Sequence, residues 1–502
     1  MFTKIKSATL CGIFPEIIEI EVGLIGGFPN FQIVGLPDET INEAKERINL
    51  AIKNISAKPP NKINSRVVVN LAPADLKKEG SLLDLPIALA YLSASKQIKP
   101  LPKDYLFLGE LGLDGKLKKI RGALSIALKA IGHFSAIILP EENIPEVSFL
   151  KEIKIYGFSH LQEVIDFLEE KILKIPIEPK EFSNFINEDI DLNFLVIDDY
   201  ILRGVILGVI GNHNFLLYGP PGTGKTLIAQ NIVNLLPNLD YNSALEVSAI
   251  YSALGLLKEK IILKPQLRAP HHSASAISIL GGGKDAKPGE VTLAHRGVLF
   301  FDELPEFRRD VLEGIREPLE TGEITIARAK KVIKYPARFL FIGAYNPCPC
   351  GFYGDPEIEC KCSISEINRY QKKISGPLLD RIDIHLNIPR IESEKIFNLP
   401  ERNFQKIKEK IIEVREKINQ RYKNENFKNN SEIPAKKIKE YCKLTFEAEN
   451  FFKNAIDKYR LSLRGVHKIL KLSRTIADYE NKEKIDIESL SEALQYRVKE
   501  ND

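Results

Sequence analysis

Gly219-Pro220-Pro221-Gly222-Thr223-Gly224-Lys225-Thr226 is the stretch that decides this chain. It completes the pattern G-x-x-x-x-G-K-[ST] without a gap. The apolar run Asn214-Phe-Leu-Leu-Tyr218 leads into it, and Leu227-Ile-Ala-Gln-Asn-Ile-Val233 leads out with helical spacing. Strand, glycine-rich loop and helix in that order are the context in which the pattern holds phosphate. The glycines let successive backbone N–H groups turn toward phosphate oxygens, and the helix N-terminus adds partial positive charge. All eight residues are expected to contact a nucleotide. Lys225 should reach the β- and γ-phosphates of ATP, and the Thr226 hydroxyl should hold Mg²⁺.

Composition narrows the rest. The chain has 502 residues, room for two or three domains with their own cores. Its 44% apolar and 27% charged content is ordinary for a globular protein. It has no run of 18 apolar residues, so no membrane span is expected. The first residues lack the long apolar core of a signal peptide, which predicts a cytoplasmic protein. Six cysteines do not make a disulfide scaffold. A net charge of +4 is too small to imply nucleic acid by itself, so any such reading needs a local patch.

The pattern divides the chain. Residues 1–171 read as one α+β unit, with strands at 17–22, 31–34, 66–71 and 136–139 and helices at 39–55 and 83–92. Residues 172–195, with Pro176, Pro179 and several charges, read as a linker. Residues 196–395 carry the nucleotide motifs, an α/β core. Residues 396–502 read as almost wholly helical, with Asp486 an expected N-cap of the last helix.

Two further apolar strands end in polar groups. Val298-Leu-Phe-Phe-Asp302-Glu303 would present two acids at the carboxyl edge of a sheet, beside the phosphates. Asp302 would complete the Mg²⁺ shell, and Glu303 is the natural group to polarise an attacking water. An acidic turn after a core strand is the plainer alternative. Phe339-Leu-Phe-Ile-Gly-Ala-Tyr-Asn346 ends in an Asn that would orient the water or touch the γ-phosphate, unless it is a turn former. Gly376-Pro-Leu-Leu-Asp-Arg381 and Ser462-Leu-Arg464-Gly each offer an arginine for phosphoryl transfer, or else for a structural ion pair.

The set GPPGTGKT, VLFFDE, AYNPCPCG, GPLLDRID and SLRGVHKILKLSRTIAD resembles the magnesium-chelatase-like branch of the AAA+ ATPases, and within it the ComM/YifB group. The likeness runs from end to end. It includes Arg-Ala-Pro-His271-His272-Ser and Gly281-Gly-Gly…Pro-Gly-Glu290, which match that group's insertion between the phosphate loop and the acid-ended strand. The resemblance implies an N-terminal domain of the ribosomal-S5/Lon type, an AAA+ P-loop domain and a C-terminal helical lid. It also implies a ring, a hexamer, with Arg381 as arginine finger and Arg464 as second sensor arginine.

Leu108-Gly-Glu-Leu-Gly-Leu-Asp-Gly-Lys-Leu and Ile137-Ile-Leu-Pro-Glu-Glu-Asn143 resemble the Lon protease domain. Lon activates a serine with a lysine. Ser81 lies near the nucleophile loop, but Leu124 stands where that family has its lysine, and leucine accepts no proton. The unit therefore reads as a protease-like fold without peptidase activity.

Four of the six cysteines fall in fifteen residues, as Cys348-Pro-Cys350 and Cys360-Lys-Cys362. Two C-x-C pairs suit one structural Zn²⁺, with a reduced cluster or a labile disulfide as alternatives. His271, His272 and His295 could be imagined as metal ligands, but without a matching acid or thiol nearby, turn or nucleotide-side roles are expected of them.

Residues 323–328 and 332–338 read as two strands joined by Ala329-Lys330-Lys331. From 324 to 338 there are five basic residues and no acids. Arg328, Lys330, Lys331 and Lys334 are the expected contacts to a phosphate backbone, against the plain reading of a solvated turn. The family resemblance implies an ATP-driven motor on single-stranded or branched DNA, with branch migration or helicase-like work in recombination or natural transformation. Rival readings are a magnesium-chelatase-type motor and a protein-remodelling ATPase.

Overall fold

The computed structural model describes all residues except Met1, Glu79, 183–191, Val196, Glu259, 284–285, 329–330, 391–401 and 498–502, and the side chains of Glu39, Asn42, Arg328 and Lys331. The chain forms two compact units, Met1–Asn184 with Asp240–Leu263, and Phe185–Leu239 with Lys264–Asp502. Of the expected linker, 183–191 lie outside the described residues.

The first unit is built on a seven-stranded mixed sheet. Its order across the sheet is Asn30–Val34, Ser65–Ala72, Phe14–Gly26, Phe2–Cys11, Tyr105–Phe107, Ala136–Pro140 and Lys154–Phe158. The alternation of Ile17-Ile-Glu-Ile-Glu-Val22 sets its two faces. Ile18, Ile20 and Val22 are buried. Glu19 and Glu21 turn the other way and meet Lys4 at 2.9 and 2.6 Å across the hairpin. Lys6 reaches Glu19 at 2.9 Å. The apolar helix Asp84–Ala94 covers the inner face and is buried nearly all round.

Residues 240–263 belong to this first unit, although in sequence they interrupt the nucleotide motifs. The helix Tyr241–Ala253 packs on Ala123–Ala130. The Gly122 N–H donates to Ser252 O at 2.9 Å, Ser252 Oγ donates to Glu146, and Tyr241 donates to Phe149 O at 3.0 Å. The sequence runs the nucleotide unit unbroken from 196 to 395. A helix apolar enough to be buried does not say against which partner it is buried.

The second unit holds a five-stranded sheet in the order Leu267–Arg268, Val298–Phe301, Leu340–Tyr345, Phe215–Tyr218, Ile384–Asn387. Every neighbouring pair in it is parallel. Parallel strands covered on both faces read as continuous apolar runs, which is how Phe215-Leu-Leu and Val298-Leu-Phe-Phe read. The strand before the phosphate loop is therefore central, flanked by the strand that leads to Asn346 and by the last strand of the sheet.

The C-terminal part is helical, as its spacing predicts: Phe404–Arg421, Phe446–Lys458, Leu463–Tyr479 and Ile487–Gln495. Asp486 caps the last, its carboxylate accepting from Ser489 N at 3.0 Å. A largely buried ion pair ties one of these helices to the sheet. Lys468 Nζ lies 2.7 Å from Asp383 Oδ1, and Asp383 also accepts from the Asn214 N–H at 3.1 Å. Burial opposes the charge on Asp383, but Lys468 and His213 together hold its carboxyl well below the usual range. Removing one partner of a buried pair costs about 3–5 kcal/mol, the upper range expected for this largely buried one.

Candidate functional site

The phosphate loop is shaped by close backbone approach. A Cβ on Gly219 would lie 2.1 Å from Ile388 O, so only glycine fits where the loop leaves the sheet. Lys225 begins the helix Lys225–Asn231 and folds back over the loop. Its Nζ donates to Gly219 O at 2.8 Å and Pro220 O at 2.6 Å. Burial pushes this amine down to about 8, while the Asp302 carboxylate pulls it the other way.

Thr226 and Asp302 meet. The Thr226 hydroxyl donates to Asp302 Oδ2 at 2.6 Å, joining the first turn of the loop helix to the end of the strand Val298–Phe301. A hydroxyl and a carboxylate converging on one point are the oxygen donors that Mg²⁺ takes from protein beside nucleotide phosphates. Glu303 follows at φ 51°, a left-handed conformation unusual for a non-glycine residue. Its N–H donates to Asp302 Oδ1 at 2.9 Å, and its side chain is more than half exposed. Asn346 comes directly after the strand Leu340–Tyr345, whose Tyr345 is in register with Tyr218. Lys225, Thr226, Asp302, Glu303 and Asn346 thus stand at the carboxyl edge of three adjacent strands.

His272 corrects the expectation that no acid lies near the histidines. Its Nδ1 is 3.2 Å from Glu303 Oε2. The strand Leu267–Arg268 pairs with Val298–Phe301, and the segment leaving it carries His272 across to Glu303. His272 stands in the stretch Arg-Ala-Pro-His-His-Ser, but only the strand pairing reveals its neighbour. His295 is buried, and its Nδ1 accepts from the Arg338 N–H at 3.0 Å.

Arg381 and Arg464 are brought together, but not at the phosphate loop of their own chain. Both hydrogen-bond to one carboxylate, Glu320. Among the described residues no hydrogen bond or ion pair joins either arginine to 219–226. Glu320 was not visible as a site residue in sequence, since nothing marks a glutamate in a short helix as the shared partner of two distant arginines.

The hairpin forms from Glu323–Arg328 and Lys331–Pro336 paired antiparallel, its second strand starting one residue earlier and ending two earlier than expected. Lys334 is exposed and 3.8 Å from Glu323. Lys330, and the side chains of Arg328 and Lys331, lie outside the described residues. The buried Tyr335 hydroxyl donates to Ala286 O at 2.7 Å, seating the hairpin on the glycine-rich insertion. A second basic surface has no local sequence motif to mark it. An open cleft of about 820 Å³ carries Arg309, Arg369, Lys372 and Lys373 on its wall, with Lys373 paired to Glu306 at 3.0 Å.

Cys348, Cys350, Cys360 and Cys362 bring their sulfurs within 4.8 Å of one another. Cys348 Sγ lies 3.3 Å from Cys350 Sγ and 3.6 Å from Cys360 Sγ, and all four are free thiols. A tetrahedron with Zn–S bonds of about 2.3 Å has edges of about 3.8 Å, so the four sulfurs need only small shifts to hold a metal. The Tyr353 N–H points at Cys348 Sγ and the Cys350 N–H at Cys362 Sγ, as around bound thiolates. The cluster also touches the phosphate loop: a Cβ on Gly351 would be 2.6 Å from Pro221 Cδ.

In the first unit the Ser81 hydroxyl donates to the Glu110 carboxylate, and Leu124 is fully buried in the helix Ala123–Ala130. Among the described residues no helix is long and apolar enough to cross a membrane.

Comparison with known proteins places one family along most of the chain. Residues 191–396 match the family described as magnesium chelatase, subunit ChlI. Residues 20–143 match subunit ChlI of Mg-chelatase, and 401–497 match its C-terminal part. The competence protein ComM of Haemophilus influenzae is 38% identical over 98% of this chain and 97% of its own length. The protein YifB of Escherichia coli is also 38% identical, over 97% of this chain and 95% of its own. The magnesium-chelatase 38 kDa subunit of Rhodobacter capsulatus matches more narrowly, 26% identical over 26% of this chain and 42% of its own. The chain therefore belongs to the ComM/YifB group of magnesium-chelatase-like AAA+ proteins.

Proposed function

We propose that this AAA+-type ATPase is a cytoplasmic ring motor, a hexamer, that hydrolyses ATP to act on DNA. Its work would be branch migration or helicase-like unwinding in recombination or natural transformation. The observation that carries the ATPase reading is the convergence of Lys225, Thr226, Asp302 and Glu303 at one sheet edge. The Haemophilus influenzae relative is named a competence protein, which supports the setting. In this reading residues 219–226 cradle the triphosphate, and Thr226 and Asp302 hold Mg²⁺, which screens the phosphate charge. Glu303 and Asn346 orient the water, and Arg381 and Arg464 serve a neighbouring subunit's nucleotide. The first unit is a Lon-like fold without peptidase activity, supported by an apolar Leu124 and by a Ser81 bonded to a carboxylate rather than activated by an amine.

The DNA reading is carried by the hairpin. ATP hydrolysis is expected to rise when single-stranded or branched DNA is added. Replacing Lys330, Lys331 and Lys334 with Glu should weaken DNA binding and remove that rise, with little change in the basal rate. Each lost phosphate contact should flatten the slope of log affinity against log salt by about 0.7–0.9. An unchanged slope in a ring-forming triple variant would place the nucleic-acid contacts elsewhere. A wild-type rate indifferent to DNA would favour the magnesium-chelatase-type or protein-remodelling motor, which the partial match to the chelatase subunit keeps in view.

We further propose that the four cysteines hold one structural Zn²⁺. Freshly purified, tag-free protein should contain about one zinc per chain. Acid or strong chelators should release it, because protons compete for thiolate. Because Gly351 packs on Pro221, loss of the metal should slow ATP hydrolysis before it unfolds the first unit. Metal content near zero by elemental analysis, with four titratable thiols in the cluster, would withdraw the assignment.

A further inference from the structure

Glu320 stands near the end of the helix Arg316–Thr321. Its Oε2 accepts from Arg381 Nη2, and its Oε1 accepts from Arg464 Nη2 at 2.9 Å. The other terminal nitrogen of Arg381 donates to Pro377 O at 2.7 Å. Each terminal nitrogen thus uses one of its two N–H groups within the chain, and Nε is buried with no hydrogen-bond partner. Arg381 is 11% exposed, against 45% for Arg464. An arginine stabilises a transferring phosphoryl group by presenting its donor fork. Arg381 has both terminal nitrogens tethered within its own chain, so Glu320 holds the guanidinium back from turning its fork freely toward a phosphate. Partial burial opposes the charge on Glu320, but Arg381 and then Arg464 more than offset it, and the carboxylate stays ionised.

The same carboxylate sits at the root of the basic hairpin. Gly322, at φ 72°, ends the helix with its N–H on Pro318 O at 2.9 Å. The first hairpin strand starts at Glu323, and the exit of the second returns to the same point, with the Ala337 N–H on Gly322 O at 2.8 Å. Both hairpin strands are thus anchored beside the residue that holds the arginines. A polyanion on the hairpin would attract its lysines and repel the Glu320 carboxylate. It would therefore favour an arrangement in which Glu320 has moved away from the guanidiniums.

We propose that Glu320 is a positioning residue for ATP hydrolysis: it latches Arg381 and Arg464 back until nucleic acid on the basic hairpin releases them toward a neighbouring subunit's γ-phosphate. This rests on the reading of the protein as a DNA-dependent ring ATPase. It differs from a merely structural ion pair because loss of the charge should raise the rate.

Steady-state ATP hydrolysis, with and without a single-stranded oligonucleotide, tests it in the full-length wild type and in Glu320→Gln, Glu320→Asp, Arg381→Ala and the double variant Glu320→Gln/Arg381→Ala. Glu320→Gln keeps the shape and removes the charge. Without DNA it should turn over about tenfold faster or more, the scale of one charge-assisted hydrogen bond, with KM for ATP unchanged. The ratio of stimulated to basal rate should fall toward one. Glu320→Asp, which keeps the charge, should restore part of that ratio. The double variant should be as slow as Arg381→Ala. A Glu320→Gln protein that is slower with and without DNA by the same factor would make Glu320 a structural prop and overturn the latch. An unchanged basal rate would overturn it equally. If wild type ignores DNA but Glu320→Gln is still faster, the latch stands and the DNA reading fails. If Arg381→Ala hydrolyses ATP like wild type, the arginine assignment and the latch fall together.

Discussion

Glu303→Gln is expected to bind ATP as the wild type does and to hydrolyse it about 10²–10⁴-fold more slowly, the range for loss of a positioned general base. The amide keeps the size of the carboxylate but cannot take or strongly polarise a proton. Its geometry supports the asymmetry between binding and turnover. Glu303 makes no bond to the phosphate loop in the structure; its backbone N–H is bonded to Asp302, and its carboxylate lies 3.2 Å from His272 Nδ1. Its left-handed φ of 51° costs about 1–3 kcal/mol in a non-glycine residue, and such strain gathers where a side chain must be aimed. Equilibrium binding of a labelled nucleotide, set beside single-turnover hydrolysis, separates the two effects. Near-normal hydrolysis by the variant would take Glu303 out of the catalytic role. Lys225→Ala makes the useful contrast, since losing the amine from the cradle should remove binding as well as turnover.

The second large effect is expected at Arg381. Arg381→Ala should leave nucleotide binding by an isolated subunit nearly intact and lower the turnover of the assembled ring by ~10³-fold or more, the scale of an arginine finger. The arginine is bonded to Glu320 and Pro377 and not to its own phosphate loop, which is the arrangement required of a group that serves another subunit. Mixing decides this. Rings of Arg381→Ala subunits and Lys225→Ala subunits contain interfaces in which an intact phosphate loop faces an intact arginine. Hydrolysis should return at those interfaces. If mixed rings assemble and stay silent, action between subunits is refuted.

Much of the site was legible because its chemistry is local. The glycine pattern at 219–226 forces a backbone path, and Gly219 packs too closely on Ile388 for any side chain. Apolar runs ending in Asp302-Glu303 and in Asn346 had to be buried strands with polar ends, and they are neighbours in the sheet. The cysteine spacing was equally local, and the four sulfurs converge. The C-terminal helices carried their own caps and periodicity. The family likeness, read from motifs spread along the chain, holds over nearly its full length.

Other features depended on which elements pack together, and sequence spacing does not contain that. The segment 240–263 is apolar and helical in sequence, yet its place in the first unit is settled by partners such as Phe149 and Gly122, far away along the chain. His272 meets Glu303 only because a two-residue strand pairs beside Val298–Phe301. Lys468 and Asp383 look like ordinary charges in sequence, yet the fold pairs them at 2.7 Å, largely out of water. Glu320 is the plainest case. The sequence by itself determined a phosphate loop, its acids, two arginines and a basic hairpin. Tertiary structure alone decided that one carboxylate would hold both arginines at the root of that hairpin, because a hydrogen bond needs two groups within about 3 Å in space and is indifferent to their distance along the chain.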